Sequence, residues 1–523
     1  MRKRTISLWV ISPFLLIALL LVLLLSPLGT PVIRYAAVSF VPGLTIDNID
    51  GSVYGDMTVE DLIWQDASWK VAVGSATVNL SWRCFMAPKV CIEKLAASDI
   101  TVTQLGVSED TEAEDTAAEP FSLPVALRLD NTRIRQLRVE LAEQSVSVKQ
   151  ITLAARAKDE IVINEPVIEG LTVRLPAASE PQTQTPASYS LSYSAPQLPE
   201  VRLPVAVTIN QFALKNTTLY QGETPQAIPA VTFARLVFKD THLDIDTLDV
   251  EHESATLQAD AEVTFENDYP LNLQANGAIS LDDNTRQKLD LSASGSLSDL
   301  TLELDATNAY DIQARVHANI LSDTLPLEVS ANWDEQPLPM QAQGTLHEGD
   351  ILLSGTMGDY TLTGSSAATL PDIGRVPVNV DVVLNRKNIR VNDITVALLE
   401  GKITNTGTLY LNESVSWNGK TRVSGISTAD LVPQGPTNIT GGFTSLMQLT
   451  DKGPEMSISE LAVSGTVEER PLNVTGSVVY ASGSDIIVGT LAVTQDTNKV
   501  NVAGQIFNKR YLDATIRLDL PAM

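Results

Sequence analysis

From about residue 270 onward the chain alternates apolar and polar side chains with period two, run after run. Leu271, Leu273, Ala275, Gly277, Ile279 and Leu281 share one parity, and Leu289, Leu291, Ala293, Gly295 and Leu297 form the next run. Leu300, Leu302, Leu304 and Ala306 follow, then Ile312, Ala314, Val316, Ala318 and Ile320, then Leu325, Leu327, Val329, Ala331 and Trp333. The same alternation reaches Leu512, Ala514, Ile516, Leu518 and Leu520. Successive side chains of a strand point to opposite faces, so each run predicts a strand with one apolar face. Turn residues separate the runs: Asp282-Asp283-Asn284, Ser298-Asp299, Thr307-Asn308 and Ser322-Asp323-Thr324. Such short intervals leave no room for crossover helices and predict antiparallel meanders. Helix-period patterning is almost absent after residue 40.

Two stretches interrupt the alternation. Residues 108–120 (SEDTEAEDTAAEP) are acidic and small, and residues 175–204 hold Pro176, Pro181, Pro186, Pro196, Pro199 and Pro204 among Ser, Thr and Gln. Both read as surface insertions, because proline removes ladder donors and charge-rich small residues bury little. A weak internal repeat also appears: Leu123-Pro124-Val125-Ala126-Leu127 and, about eighty residues on, Leu203-Pro204-Val205-Ala206-Val207. Two such copies suggest recurring units.

The first residues add a membrane. Ile6–Leu28 carries no ionisable side chain and, at about 1.5 Å per residue, is long enough to cross roughly 30 Å of hydrocarbon. Arg2, Lys3 and Arg4 precede it and only Arg34 follows closely, which places the N-terminus in the cytoplasm and the bulk of the chain on the far side. A cleaved signal peptide is the competing reading; the run is longer than a signal core, and SPLGTPVIRY offers no small-x-small cleavage site. The expected organisation is a tail at 1–5, an anchor helix at 6–28, a membrane-proximal β-region at 29–107, the acidic loop at 108–120, a β-repeat at 121–174, the proline-rich insertion at 175–204 and repetitive β-structure at 205–523.

A long sheet with one apolar face cannot leave it in water at about 25 cal/mol per Å². With aromatics at only 5% and no helices to cover it, the economical solution is a sheet curled into an elongated trough with the apolar parity inward. An apolar trough that starts at a membrane suits acyl chains. The candidate lining positions are Leu271, Leu273, Ile279, Leu289, Leu291, Leu300, Leu302, Leu304, Ile312, Val316, Ile320, Leu327 and Val329. The alternative is a solenoid filled by its own side chains and serving as a spacer, and the pattern alone does not choose between them.

Net charge of −27 opposes nucleic-acid binding, since phosphates would be repelled, and keeps a long β-surface soluble. Cys84 and Cys91, in SWRCFMAPKVCIEKL, would most simply form a disulfide across a local hairpin in an oxidising compartment. His242, His252, His317 and His347 lack metal-ligand spacing, and there is no phosphate-binding glycine loop or nucleophile elbow. The expectation is a non-enzyme without metal or cofactor.

The segment VPGLTIDNIDGSVYGDMTVEDLIW (41–64) resembles the start of the TamB proteins of Gram-negative bacteria, within the AsmA-like group. The likeness continues through CFMAPKVCIEKLAASDITV, the acidic insertion and LPVALRLDN, and LPDIGRVPVNVDVVLN at 370–385 is similar too. The resemblance implies a single-pass inner-membrane protein whose β-groove crosses the periplasm and moves phospholipids toward the outer membrane. It also implies a partnership with the outer-membrane barrel protein TamA in assembling outer-membrane or autotransporter proteins, an alternative role as an assembly scaffold. Family members are about twice as long, and the pattern here stops mid-run at Met523. The chain is therefore expected to be an N-terminal portion or a truncated relative, with the TamA-contacting part outside it.

Overall fold

The computed structural model describes residues 26–81, 84, 89–105, 123, 125–141, 144–176, 192–222, 224–282, 285–338, 343–412, 414–450, 453–481, 486–507 and 511–521. Most of the anchor run (6–25), the acidic loop 108–120 and residues 177–191 of the proline-rich insertion lie outside them. Among the described residues no helix is long and apolar enough to cross a membrane. The chain divides into two compact units, Met1–Glu180 with Pro199–Ala278 and Pro181–Leu198 with Ile279–Met523.

The first unit opens with a helix where the sequence suggested only β-structure. Ser26 accepts from the backbone N–H of Leu28 through its hydroxyl (3.3 Å) and starts a 3-10 turn, Pro27–Gly29. Helix α1 (Thr30–Phe40) follows, with proline in its first turn, where a missing N–H costs nothing. Strands β1 (Leu44–Gly51), β2 (Asp56–Gln65), β3 (Trp69–Leu80) and β4 (Lys89–Gln104) then form an antiparallel meander.

The next junction departs from the expected all-antiparallel sheet. β5 (Ala126–Glu140) lies parallel to β4, with Val90 opposite Leu127 and Val102 opposite Val139. β6 (Ser145–Ala157) and β7 (Glu160–Leu175) return to antiparallel pairing. β8 (Ala206–Lys215) and β9 (Thr217–Gln221) are again parallel to β7. β10 (Thr224–Ile228) pairs with β9, and β11 (Ala230–Lys239) with β8; β12 (His242–His252), β13 (Ala255–Thr264) and β14 (Leu271–Ser280) follow. The sheet of this unit is therefore mixed. The physical reason is that a parallel neighbour needs a long connection to carry the chain back. The two sequence interruptions supply it, one between β4 and β5, the other between β7 and β8. The LPVA repeat is structural as well: both copies lead into the strand that pairs parallel. The N–H of Leu123 donates to Lys158 O (3.1 Å) and that of Leu203 to Asp240 O (2.9 Å), each carbonyl in the turn after the neighbouring strand.

A line of left-handed backbone crosses this unit. Asp61 (φ 48°), Asp99 (φ 56°), Gln136 (φ 52°) and Gly170 (φ 69°) sit inside strands. The registers flanking them align Asp61, Gly74, Asp99, Gln136, Lys149 and Gly170 across β2 to β7. At this line the apolar spacing slips from two residues to three: Val59 to Leu62, Ala97 to Ile100, Ile134 to Leu137 and Ile168 to Leu171. Two consecutive exposed residues mark the slip, Glu60 with Asp61 and Arg135 with Gln136. In a regular strand that slip would turn the second half's apolar residues to the other face. A left-handed residue, like a bulge, re-aims the following chain and keeps both halves apolar on one face.

The second unit is an antiparallel ladder. β15 (Arg286–Ser296), β16 (Asp299–Thr307), β17 (Ile312–Ala318) and β18 (Leu327–Trp333) pair in sequence. After two short bridges, β19 (Gln336–Pro337) and β20 (Thr345–Leu346), β18 pairs with β21 (Gly349–Thr356). β22 (Asp359–Leu370), β23 (Gly374–Asn385) and β24 (Asn388–Leu398) continue, and eight further strands run from Gly401–Leu411 to Tyr511–Asp519. These bounds follow the alternating runs of the sequence closely. Residues 192–198 of the proline-rich insertion belong to this unit; the Tyr193 hydroxyl donates to Ile320 O (2.6 Å).

Candidate functional site: the apolar face of the sheet

The registers turn the alternating runs into continuous rows. In the second unit Ala293, Leu302, Val316, Val329, Leu353, Leu362, Val382 and Val391 stand opposite one another from β15 to β24. A neighbouring row runs Leu291, Leu304, Ala314, Ala331, Ile351, Gly364, Val380 and Ile394 across the same strands. Leu300, Ala318, Leu327, Gly355, Tyr360, Leu384 and Ile389 make a third. None of these rows carries a charge. Directly opposed residues share a face, and each apolar pair contributes roughly 0.2–1 kcal/mol. The opposite face holds Asp290, Asp305, Gln313, Asn332 and Asp350 in one register row, and the Arg315–Glu303 ion pair (2.7 Å) in another.

Of the positions singled out from sequence, Leu289, Leu291, Leu300, Leu302, Leu304, Ile312, Val316, Leu327 and Val329 fall on this one face. Leu271 and Leu273 on β14 are half-buried between exposed Asn272 and Gln274. Ile279 is exposed, because the alternation slips near Gly277 and Ala278. Ile320 lies beyond the end of β17 in a turn, its N–H donating to Leu297 O (2.8 Å).

The first unit carries equivalent rows that a strict period-two search misses. Ile46, Leu62, Val73, Ile100, Leu137, Val148 and Leu171 oppose one another from β1 to β7. Ile49, Val59, Ala76, Ala97, Ile134, Ile151 and Ile168 form the row on the other side of the left-handed line. The three-residue step is the sequence signal that identifies them.

These faces are lined but not filled. No large side chain among the described residues is completely buried, and most of the row residues of the second unit are half-buried. The covered positions include the small Ala293, Ala306 and Ala318 and also the larger Leu300, Tyr360 and Val382. A hollow of about 150 Å³ opens among Trp333, Ile351, Leu362, Val378 and Val380. α1, the one α-helix among the described residues, packs only near β1.

Polar chemistry stays local. Cys84 and Cys91 form a disulfide, Cα atoms 5.9 Å apart, closing the loop between β3 and β4. Asn79 and then Lys94 hydrogen-bond Asp56 and hold its carboxyl below the usual carboxylate range, tying together the ends of β2, β3 and β4. His347 bridges Glu335 (3.1 Å) and Thr369 (2.7 Å), His317 lies 3.4 Å from Asp299, and His242 and His252 contact Thr264 and Ser254. Among the described residues no three His, Cys, Asp or Glu side chains gather as a metal site. Compared with known families, residues 16–523 match the family model described as TamB, N-terminal domain.

Proposed function

Because the chain belongs to the TamB family, whose role lies in outer-membrane assembly and lipid transport, we propose that its apolar face is a conduit for phospholipid acyl chains. In this reading Ile6–Leu28 anchors the chain once in the inner membrane, and the sheet carries lipid through the periplasm toward the outer membrane. It acts as a surface for sliding, without covalent chemistry, metal or cofactor.

The carrying observation is the row structure: uncharged, in register across many strands, and half-buried at most positions of the second unit. A solenoid built as a spacer would fill that face with its own side chains. Here the lining supports an occupant that comes and goes. Moving an acyl chain from membrane to water costs about 0.8 kcal/mol per methylene, on the order of 10 kcal/mol for a long chain. Continuous Leu, Val and Ile rows offset most of that cost at every step, so transfer along them is nearly level in free energy.

A photo-crosslinker at Leu302 is expected to capture phospholipid, and one at Glu303, on the other parity, is not. Equal labelling at both positions would sink the conduit. Adducts to nascent barrel proteins with no lipid at Leu302 would favour the assembly scaffold instead.

A further inference from the structure

The N-terminal end of the described chain exposes apolar surface that calls for a cover. α1 holds a single charged residue, Arg34, and leaves Val32 54%, Tyr35 76% and Phe40 86% exposed, with Leu28 at 76% just before it. A short helix that is apolar around most of its circumference is out of place in water. Its continuity with the rest of the chain says what covers it: the uncharged run Ile6–Leu28 ends immediately before it. If that run spans the bilayer, α1 emerges at headgroup level, where a tyrosine and an arginine are favoured side by side.

Between α1 and β1 lies an open cleft of about 500 Å³. Thr30, Pro31, Arg34, Tyr35 and Val38 line it from the helix, and Ile46 and Ile49 with Thr45 and Asn48 from the strand. Ile46 and Ile49 are buried at 7% each, and they head the two apolar rows of the first unit. The cleft therefore combines one cation, an apolar floor and direct continuity with the proposed conduit.

We propose that α1 lies in the headgroup layer of the bilayer and that this cleft is the port through which a phospholipid reaches the sheet, its phosphodiester held by Arg34 and an acyl chain laid on Ile46 and Ile49. This rests on the conduit reading and names its loading site. A guanidinium suits a phosphodiester because its planar fork offers paired donors to two oxygens.

The test uses the full chain in vesicles of phosphatidylethanolamine and phosphatidylglycerol, with a photo-crosslinker placed in turn at Val38, Leu302 and Glu303. Phospholipid adducts are expected at Val38 and Leu302 and not at Glu303. Arg34→Glu should lower the Val38 adduct about tenfold, the scale of losing a charge-assisted hydrogen bond, and Arg34→Lys should restore part of it. Formation of the Cys84–Cys91 disulfide in each variant reports that the first unit has folded. Lipid at Leu302 with none at Val38 overturns the port and leaves the conduit standing. Lipid at Val38 with none at Leu302 overturns the conduit and leaves lipid bound at α1. Crosslinking of Val38 to a second copy or to another protein in place of lipid overturns the port, as does an adduct indifferent to Arg34→Glu.

Discussion

A handful of backbone positions decide which way the first unit faces. Asp61, Asp99 and Gln136 adopt left-handed conformations inside strands, at a cost of roughly 1–2 kcal/mol each for a residue with a Cβ. Without them one half of each strand would turn large apolar side chains outward, such as Leu62 with Trp64 or Leu137 with Val139, at about 1.5–3 kcal/mol apiece. Burial outweighs strain. At Gly170 the same line passes through a residue for which a Cβ would meet Lys149 Cδ at 2.6 Å. Gly170→Ala should therefore destabilise β6 and β7 by about 1–3 kcal/mol, seen as faster amide exchange in those two strands with β15 to β18 unchanged. Uniform exchange throughout would remove the special role of the line. The slip is present in the sequence as Val59 to Leu62 and Ile134 to Leu137. Its left-handed geometry is not, because exposed pairs such as Glu60-Asp61 also suit an ordinary turn.

At the scale of elements, the runs from Leu271 to Trp333 predict their strands closely, since alternation holds through most of each run and turns are marked by Asp, Asn and Ser. The parallel junctions were not legible. Acidic and proline-rich insertions announce a break in the ladder, yet nothing in them says that the chain returns alongside the strand it left. α1 carries little sequence signal: eleven residues with proline in the first turn and one charge have no polar face to give a helical period. Within the ladder, turns are held by buried donors. The hydroxyl of Tyr360, its pKa pushed up by burial, donates to Leu325 O (2.6 Å) across the turn that precedes β18. Tyr360→Phe should cost about 1 kcal/mol of stability, the net worth of one neutral hydrogen bond, measured as a lower melting temperature of the second unit. An unchanged melting temperature would mean that Leu325 finds another donor.

For the molecule as a whole, the family and the apolar parity were readable from residues, whereas the reach of the face was not. Nine of the thirteen predicted lining positions fall on one in-register face; Leu271, Leu273 and Ile279 lie on β14, and Ile320 lies in the turn after β17. The first unit carries rows of its own, which the three-residue step hides from a period-two reading. On the conduit reading a single charge in the row should block lipid, since Leu302 is opposed by the apolar Ala293 and Val316. The most direct measurement is phospholipid occupancy of the purified full chain, wild type against Leu302→Arg, by native mass spectrometry with circular dichroism as the fold control. The conduit predicts phospholipid bound to the wild type, strongly reduced in Leu302→Arg at unchanged β-content. A lipid-free wild type, or equal occupancy in the two, would contradict it.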